Sequence, residues 1–542
     1  MIELGVQQLN ALAELADVLL LDGNRKHELI EFFKVHSETQ FTFENDLCKG
    51  YFYYILGNCS SELYKYQNEN WYSQDLINTV NLYQKSVYYL KKSNTERNLL
   101  SSGLTNLGNF LSSQGRCFCA QYYWDQAIEI DENPVAIIAK AQSLLFIGNY
   151  LYDDSHTRIH YFFANKLARE AMKNLDKLEL EQKIPLQENG ELYVFNKWFE
   201  QNYQNDDFKF VEEYKQKFKT KTEGRYLSWT AENKLFINDL NDVCIEEIVF
   251  QDVIGLPSIL QKINTSLSFK ETLVFHSSFD ELRNEYAYAR YLIFQASEIK
   301  EESSHFYNMT YSHTDDTLHA IDNLKTSHMK SAFRILYSIF DKISYFVVKY
   351  LDLPIGDHDI SFNKIFGSNK NGIFKPRAEL TESNNYFLHA LFYILKEIER
   401  DSNSQEFFIN HEKLRLAKIR NHLEHRSFRI VDDFFYRVNS ELDFYNVVKY
   451  KELISRKKAL DQSNSQNTKE YKDIEASILD KEKKAKYILE MPLSEFYESL
   501  MVLVKLVRNA LLYLSLAVHF EENKRKGKED KLVFNRVVPL KK

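Results

Sequence analysis

SAFRILYSIFDKISYFVVKYLDLP, residues 331–354, decides the fold. Phe333, Leu336, Ile339, Phe340, Ile343 and Val347 recur at three- and four-residue steps, the spacing of one helix face. The run ends at Asp352-Leu353-Pro354, where proline forbids a further turn. Similar stripes lie on both sides of it. Leu282, Tyr286, Ala289, Ile293 and Ala296 mark one, and Phe387, Leu391, Ile394 and Ile398 another. Leu416, Ile419 and Leu423 mark a third, and SEFYESLMVLVKLVRNALLYLSLAVHF closes the series. Several helices, each with one apolar stripe, predict a helical bundle.

Composition agrees. Glycine (15) and proline (7) are scarce among 542 residues, against average usage of about 12% together. Few turn formers mean long uninterrupted helices. Aromatic residues reach 14%, which supplies large buried area between helices. The formal net charge of −8 argues against a chain that binds polyanions over its whole surface, so any nucleic-acid contact must be local. The five cysteines (Cys48, Cys59, Cys117, Cys119, Cys244) show no CxxC pair and read as reduced, buried thiols of a cytoplasmic protein. The N-terminus lacks a basic n-region and a cleavage site, so no signal peptide is expected. The apolar run 511–518 is too short to span a bilayer and predicts a core helix.

The first ~180 residues predict a helical repeat array. In residues 104–134, LTNLGNFLSSQGRCFCAQYYWDQAIEIDENP, small Gly108 and Ala120 alternate with large Trp124 where two antiparallel helices must interlock. This unit resembles a tetratricopeptide repeat (TPR), with Trp124 as the knob between helices. It departs at Glu132, where that family ends its helix with proline; here proline comes at Pro134. An upstream copy centres on Leu56-Gly57 and a downstream copy on Ala141 and Gly148. Gly108 to Ala141 gives a period of 33, and an insertion near residues 65–82 separates the first two copies. Such arrays form concave surfaces suited to a peptide or protein trigger. His156 and His160 have the i, i+4 spacing of zinc proteases, but Thr157 stands where the base glutamate is required, so no metal site is expected.

We divide the chain into residues 1–184 (repeat array), 185–262 (connector), 263–525 (bundle) and 526–542 (basic tail). The connector reads as an irregular packed segment or short strands. A charged insertion near 450–488 interrupts the bundle and predicts an exposed helical hairpin.

Chemistry concentrates at Arg420-Asn421-His422-Leu423-Glu424-His425. Arginine grips a phosphate through a planar fork of donors. Histidine can give or take the proton that moves when a ribose 2′-hydroxyl attacks. Asparagine fixes a ring or a phosphate oxygen without titrating. With Leu416, Ile419 and Leu423 inward, Asn421 and His425 share the opposite side, and Arg420 lies at the edge of the stripe. One helix therefore does not stack Arg420 on His425, whereas two copies facing across a dimer would bring them together. A solvated polar face on an ordinary helix satisfies the same spacing.

The motif resembles the HEPN family, whose ribonuclease members carry R-x4–6-H, often with asparagine after the arginine. LRLAKIRNHLEHRSFRI is a close match, with Arg420, Asn421 and His425 at those places. AFRILYSIFDKISYFVVKYLDLP, NNYFLHALFYILKEI and LFINDLND are similar to segments of a bacterial HEPN subfamily that carries N-terminal TPR-like repeats. The resemblance covers residues ~225–520. It implies an all-α protein, a TPR-like array followed by a HEPN bundle, that dimerises and cleaves RNA with neither metal nor cofactor. Arg420 would hold the scissile phosphate, His425 would move the proton, and Asn421 would orient one of them. The products would be a 2′,3′-cyclic phosphate and a 5′-hydroxyl. His422, Glu424 and Asp341 are supporting candidates, and Arg415, Lys418, Arg426 and Arg429 supply positive charge for RNA. Antiphage defence or a conditional toxin is the expected setting, and no membrane partner is expected. The alternative is a non-catalytic RNA- or nucleotide-binding HEPN module in a TPR scaffold.

Overall fold

The computed structural model describes residues 2–65, 70–93, 97–203, 206–257, 259, 273–312, 319–362, 364–370, 373–399, 416–438, 452–457, 460–461, 466 and 468–525. The fold is all-α with small two-stranded sheets. β1 (Ile2–Leu4) and β2 (Phe41–Phe43) pair in parallel around α1 (Val6–Leu21) and α2 (Lys26–Glu38). Then come α3 (Asp46–Lys65), α4 (Gln74–Ser93), α5 (Arg97–Ser113), α6 (Cys117–Asp131), α7 (Pro134–Tyr150) and α8 (Asp154–Lys173). The connector holds α9 (Leu180–Lys183), α10 (Glu191–Tyr203), α11 (Phe210–Glu213) and α12 (Lys221–Glu232). The long helices α13 (Val274–Glu298) and α14 (Leu324–Leu351) follow, then the hairpin of β3 (Gly367–Lys370) and β4 (Ile373–Pro376), and α15 (Tyr386–Glu399). The chain continues through α16 (Leu416–His425), β5 (Ser427–Val431), α17 (Lys469–Tyr487), β6 (Ile488–Pro492) and α18 (Leu493–Arg525).

The chain forms two compact units. The first comprises Met1–Asp280, Phe346–Lys396 and Arg508–Lys542, and the second Glu281–Tyr345 and Glu397–Val507.

In the first unit α3/α4, α5/α6 and α7/α8 pack as successive helical hairpins. Each hairpin sets a glycine of its first helix against an aromatic ring of its second. A Cβ on Gly57 would lie 2.7 Å from the Tyr83 ring, one on Gly108 2.5 Å from Trp124, and one on Gly148 2.7 Å from Tyr161. Trp124 is thus the knob that its place in the sequence predicts, and its indole N–H donates to Asn109 Oδ1 at 3.0 Å. The glycine that repeats the Gly108 contact downstream is Gly148 rather than Ala141, so the spacing is longer than 33. At Glu132 a left-handed residue (φ 46°) ends α6. Asn133 then caps α7, accepting from Val135 and Ala136 N–H, with Pro134 in the first turn, where its missing donor costs nothing. Gly115 (φ 77°) closes α5, with its N–H on Ser112 O and Arg116 N–H on Leu111 O, the paired bonds of a Schellman end.

The connector segment Leu235 to Asp242 is almost wholly buried and carries no strand among the described residues, only short 3₁₀ turns after α12. Its polar side chains stay buried because each is held. Asn238 donates to Val249 O and Gln251 O, and Asn241 to Ala231 O and Cys244 O. Among described helices α18 is long and apolar enough to cross a membrane, but 83% of its most apolar window is buried, as befits a core helix. All five cysteines are free and buried. Burial pushes the Cys59 and Cys244 thiols up to about 12, which leaves them unreactive.

In the second unit the stripe of α14 is buried as its spacing requires, with Phe333, Leu336, Ile339 and Ile343 all at 0% exposure. Phe333 stacks on Phe496, and Phe428 packs against the same ring at a tilt of 54°. The sequence reading did not anticipate the parallel ladder of β5 on β6, from Ser427 opposite Ile488 to Val431 opposite Pro492. In the charged insertion, residues 452–457 are helical and pack Leu453 and Ile454 on Ile474 and Ile478 of α17. Arg456–Glu470 and Lys457–Glu475 ion pairs flank that contact.

Candidate functional site

Helix α16 lies in the second unit and buries Leu416, Ala417, Ile419, His422 and Leu423. The opposite side is left to solvent. Asn421 and His425 are exposed, and Arg420 is half-buried at the edge. This is the division that the 100° period predicts. The Arg420 guanidinium lies over the Tyr337 ring of α14, 5.7 Å from its centroid, and its Nη1 donates to Asn421 Oδ1 at 3.4 Å. Stacking on Tyr337 narrows the positions a long side chain can take and leaves most donors of the fork free to turn toward an anion.

Residues outside the motif fix this helix. Arg334, also on α14, donates from Nη2 to Leu423 O at 2.8 Å and from Nε to Glu424 Oε1 at 3.1 Å. Leu423 O is one of the end carbonyls that no intrahelical N–H reaches, so Arg334 caps α16 from the side. Two residues beyond His425 the backbone enters the β5–β6 ladder at Ser427. Ile321 N–H also donates to Ile430 O at 2.8 Å, and Ala320 bridges Val431. His425 is therefore an exposed side chain on backbone held from both sides. Among the described residues it forms no hydrogen bond.

The supporting candidates divide. His422 does not face solvent. It is 3% exposed, and its Nδ1–H donates to Lys418 O at 2.9 Å, a packing role at the margin of the stripe. Glu424 pairs with Arg334 and not with Arg420. Asp341 is exposed on α14, one turn beyond Tyr337. Of the candidate RNA-binding residues, Arg426 is exposed and Lys418 half-buried. Arg429 lies 4.0 Å from Glu490 across the β5–β6 ladder. Arg415 lies outside the described residues. Arg334 is the neighbour of the motif that the sequence reading missed. Its signal was its place on α14, one turn before Tyr337 and off the apolar stripe.

The His156/His160 pair in the first unit has a different outcome. His156 Nδ1 donates to Asp239 Oδ1 and His160 Nε2 to Asp239 Oδ2, each at 2.8 Å. Burial raises the Asp239 carboxyl, but the two imidazole hydrogen bonds outweigh it and hold the group well below the usual carboxylate range. The rings thus grip opposite oxygens of one buried carboxylate and do not converge on a cation. Among the described residues no group of three or more His, Cys, Asp or Glu is placed to hold a metal ion. Nearby, Arg508 is 1% exposed and sits 2.7 Å from Asp242 Oδ2. It also donates to Phe236 O at 2.8 Å and Asn238 O at 2.6 Å.

Residues 267–462, about a third of the chain, match the family model described as LA2681-like HEPN. No curated protein and no solved structure matches the chain. The matched segment contains α14, with Arg334 and Tyr337, and α16, with Arg420, Asn421 and His425. A HEPN domain supports a nuclease or RNA-binding module. Residues 267–462 are thus similar to the LA2681-like HEPN family, and the match supports a HEPN domain over that segment.

Proposed function

We propose that the chain is a HEPN endoribonuclease that cleaves RNA by 2′-hydroxyl attack. The observation that carries this reading is the sorting on α16: the apolar stripe and His422 are buried, while Asn421 and His425 are exposed and Arg420 lies half-buried over Tyr337 at the edge. Arg420 holds the scissile phosphate and stabilises the charge that builds on its oxygens. The 2′-oxygen attacks phosphorus, the bond to the 5′-oxygen breaks, and one proton passes from the 2′-hydroxyl to the leaving oxygen. His425 serves as base for the first or acid for the second. The guanidinium itself supplies the positive charge and the imidazole the proton transfer, so the proposed chemistry needs no metal. Five residues of helix set Arg420 and His425 about 140° apart around the axis, so a second copy of α16 completes the site. The repeat array senses a peptide or protein trigger, and the enzyme acts in the cytoplasm in antiphage defence or as a conditional toxin.

Purified protein is tested on single-stranded RNA in excess chelator. Wild type should leave 2′,3′-cyclic phosphate ends, and His425→Ala and Arg420→Ala should each lose roughly 10²–10³ in rate while keeping the wild-type circular dichroism spectrum. RNA retention with equal, background cleavage by wild type and both variants, with the trigger domain engaged or deleted, would leave a non-catalytic RNA-binding module instead.

A further inference from the structure

Residues 215–221 read KQKFKTK, a lysine at every second position in a chain of net charge −8. The backbone is extended where this stretch begins and ends, at Tyr214 (φ −62°, ψ 128°) and Thr220 (φ −138°, ψ 157°). Extended backbone sends alternate side chains to opposite sides. Contacts settle which side is which. Gln216 N–H donates to Glu247 Oε2 at 2.6 Å and its Nε2 to Glu247 O at 3.1 Å, while Phe218 packs on Phe250 with centroids 6.2 Å apart. Gln216 and Phe218 thus turn toward the protein, and Lys215, Lys217, Lys219 and Lys221 are all exposed, the first two about 6.6 Å apart before the chain bends at Lys219 and Thr220 into α12. Lys215 meets Glu247 at 3.3 Å. Among the described residues Lys217, Lys219 and Lys221 form no ion pair.

The stripe runs into an open cleft of about 730 Å³ whose walls include Phe218, Lys219, Lys221, Arg225, Ser228 and Trp229. Glu232 lines it as well, one acid among three basic residues. The nearer acid, Glu223, is turned to the backbone, accepting Lys219 N–H at 2.6 Å while its own N–H donates to the capping Thr220 hydroxyl at 3.0 Å. Phe218 keeps 37% of its surface exposed although it lies over Gly224. Cations in a row with aromatic rings at the end of the row suit a ligand that carries both phosphates and planar bases. An acidic peptide would satisfy the lysines and leave the rings idle.

We propose that this face of the first unit binds single-stranded RNA, with Lys217, Lys219, Lys221 and Arg225 on successive phosphates and a base stacked in the cleft against Phe218 and Trp229. The proposal rests on RNA being the substrate class and adds a contact outside the matched HEPN segment. The experiment uses full-length protein carrying His425→Ala, so that bound RNA stays whole, and the fluorescence polarisation of a labelled oligouridylate of about twelve nucleotides. Lys217→Glu/Lys219→Glu/Lys221→Glu should weaken binding at least about tenfold and flatten the salt dependence by about 2 in log–log slope, since each phosphate contact on a single strand contributes about 0.7. Wild-type affinity and slope in that variant overturn the proposal. So does displacement of the RNA by charge-matched polyglutamate as readily as by unlabelled oligouridylate, or equal affinity for an abasic strand of the same length. Cleavage by wild type together with unchanged binding by the lysine variant removes this surface alone. Lysine-dependent binding without any cleavage removes the nuclease reading alone.

Discussion

His156 and His160 close on one carboxylate that is fully removed from water, so the charge on the His156 ring is coupled to the fold. Burial opposes a charge on His156, but its hydrogen bond to Asp239, the attraction of that carboxylate and a weaker one from Asp153 outweigh burial and raise its pKa above the ordinary 6.5. A raised histidine stabilises fully below its unfolded value and loses that contribution as pH rises through the folded value. Asp239, held low, contributes above about pH 4 and loses its share as pH falls further. The clamp is therefore strongest between about pH 4 and 6.5. Urea midpoints should fall from about pH 6.5 to 8.5 in wild type and fall less in His156→Gln; parallel curves would mean that His156 titrates as it does in the unfolded chain. The sequence shows the two histidines one turn apart, but not their partner. Asp239 lies 79 and 83 residues away, and only tertiary packing brings it in. The motif was more legible. The exposure of Asn421 and His425 and the edge position of Arg420 follow from the helix period alone. His422 was not legible, because it falls three residues after Ile419, on the margin where neighbours on other elements decide burial.

Helices were readable because each carries its own evidence, a stripe of apolar residues at fixed spacing. The β5–β6 ladder carries none. Five residues pair with five others about sixty positions later, and neither segment would be extended without its partner. The hairpins of the array stand between these cases. Their small and large residues are visible in sequence, but the period is set by which glycine meets which ring. That contact makes a prediction opposite to helix propensity. Alanine normally stabilises a helix over glycine by about 1 kcal/mol. At Gly103, where the nearest atom to a new Cβ would be 3.6 Å away, Gly103→Ala should show that gain. At Gly108 the new Cβ would meet the Trp124 indole at 2.5 Å, and Trp124 is 2% exposed with no room to yield. Gly108→Ala should therefore destabilise by about 1–3 kcal/mol, read as a lower urea midpoint at unchanged slope. A stabilised Gly108→Ala would mean that α5 and α6 are not held at this distance.

At the scale of the whole molecule, the repeat hairpins lie in the first unit and the Arg420–His425 motif in the second, where five residues of helix set that guanidinium and imidazole about 140° apart around the axis. If the site is shared between two copies related by a twofold axis, each phosphate sees Arg420 of one and His425 of the other. Mixing two inactive variants then restores chemistry. In a heterodimer of Arg420→Ala with His425→Ala, one site has lost both groups and the other keeps both. With free subunit exchange half of the dimers are mixed and each has one whole site, so activity should return to about a quarter of wild type, from near zero for either variant alone. A site built within one copy predicts no recovery at any ratio, since neither chain ever holds both groups. The same mixture titrated with wild type separates sharing from simple dimerisation. Excess Arg420→Ala/His425→Ala double variant should drive wild-type activity toward zero, because a mixed dimer of wild type and double variant contains no complete site. A dimer whose sites are independent would keep half the activity of each mixed dimer instead.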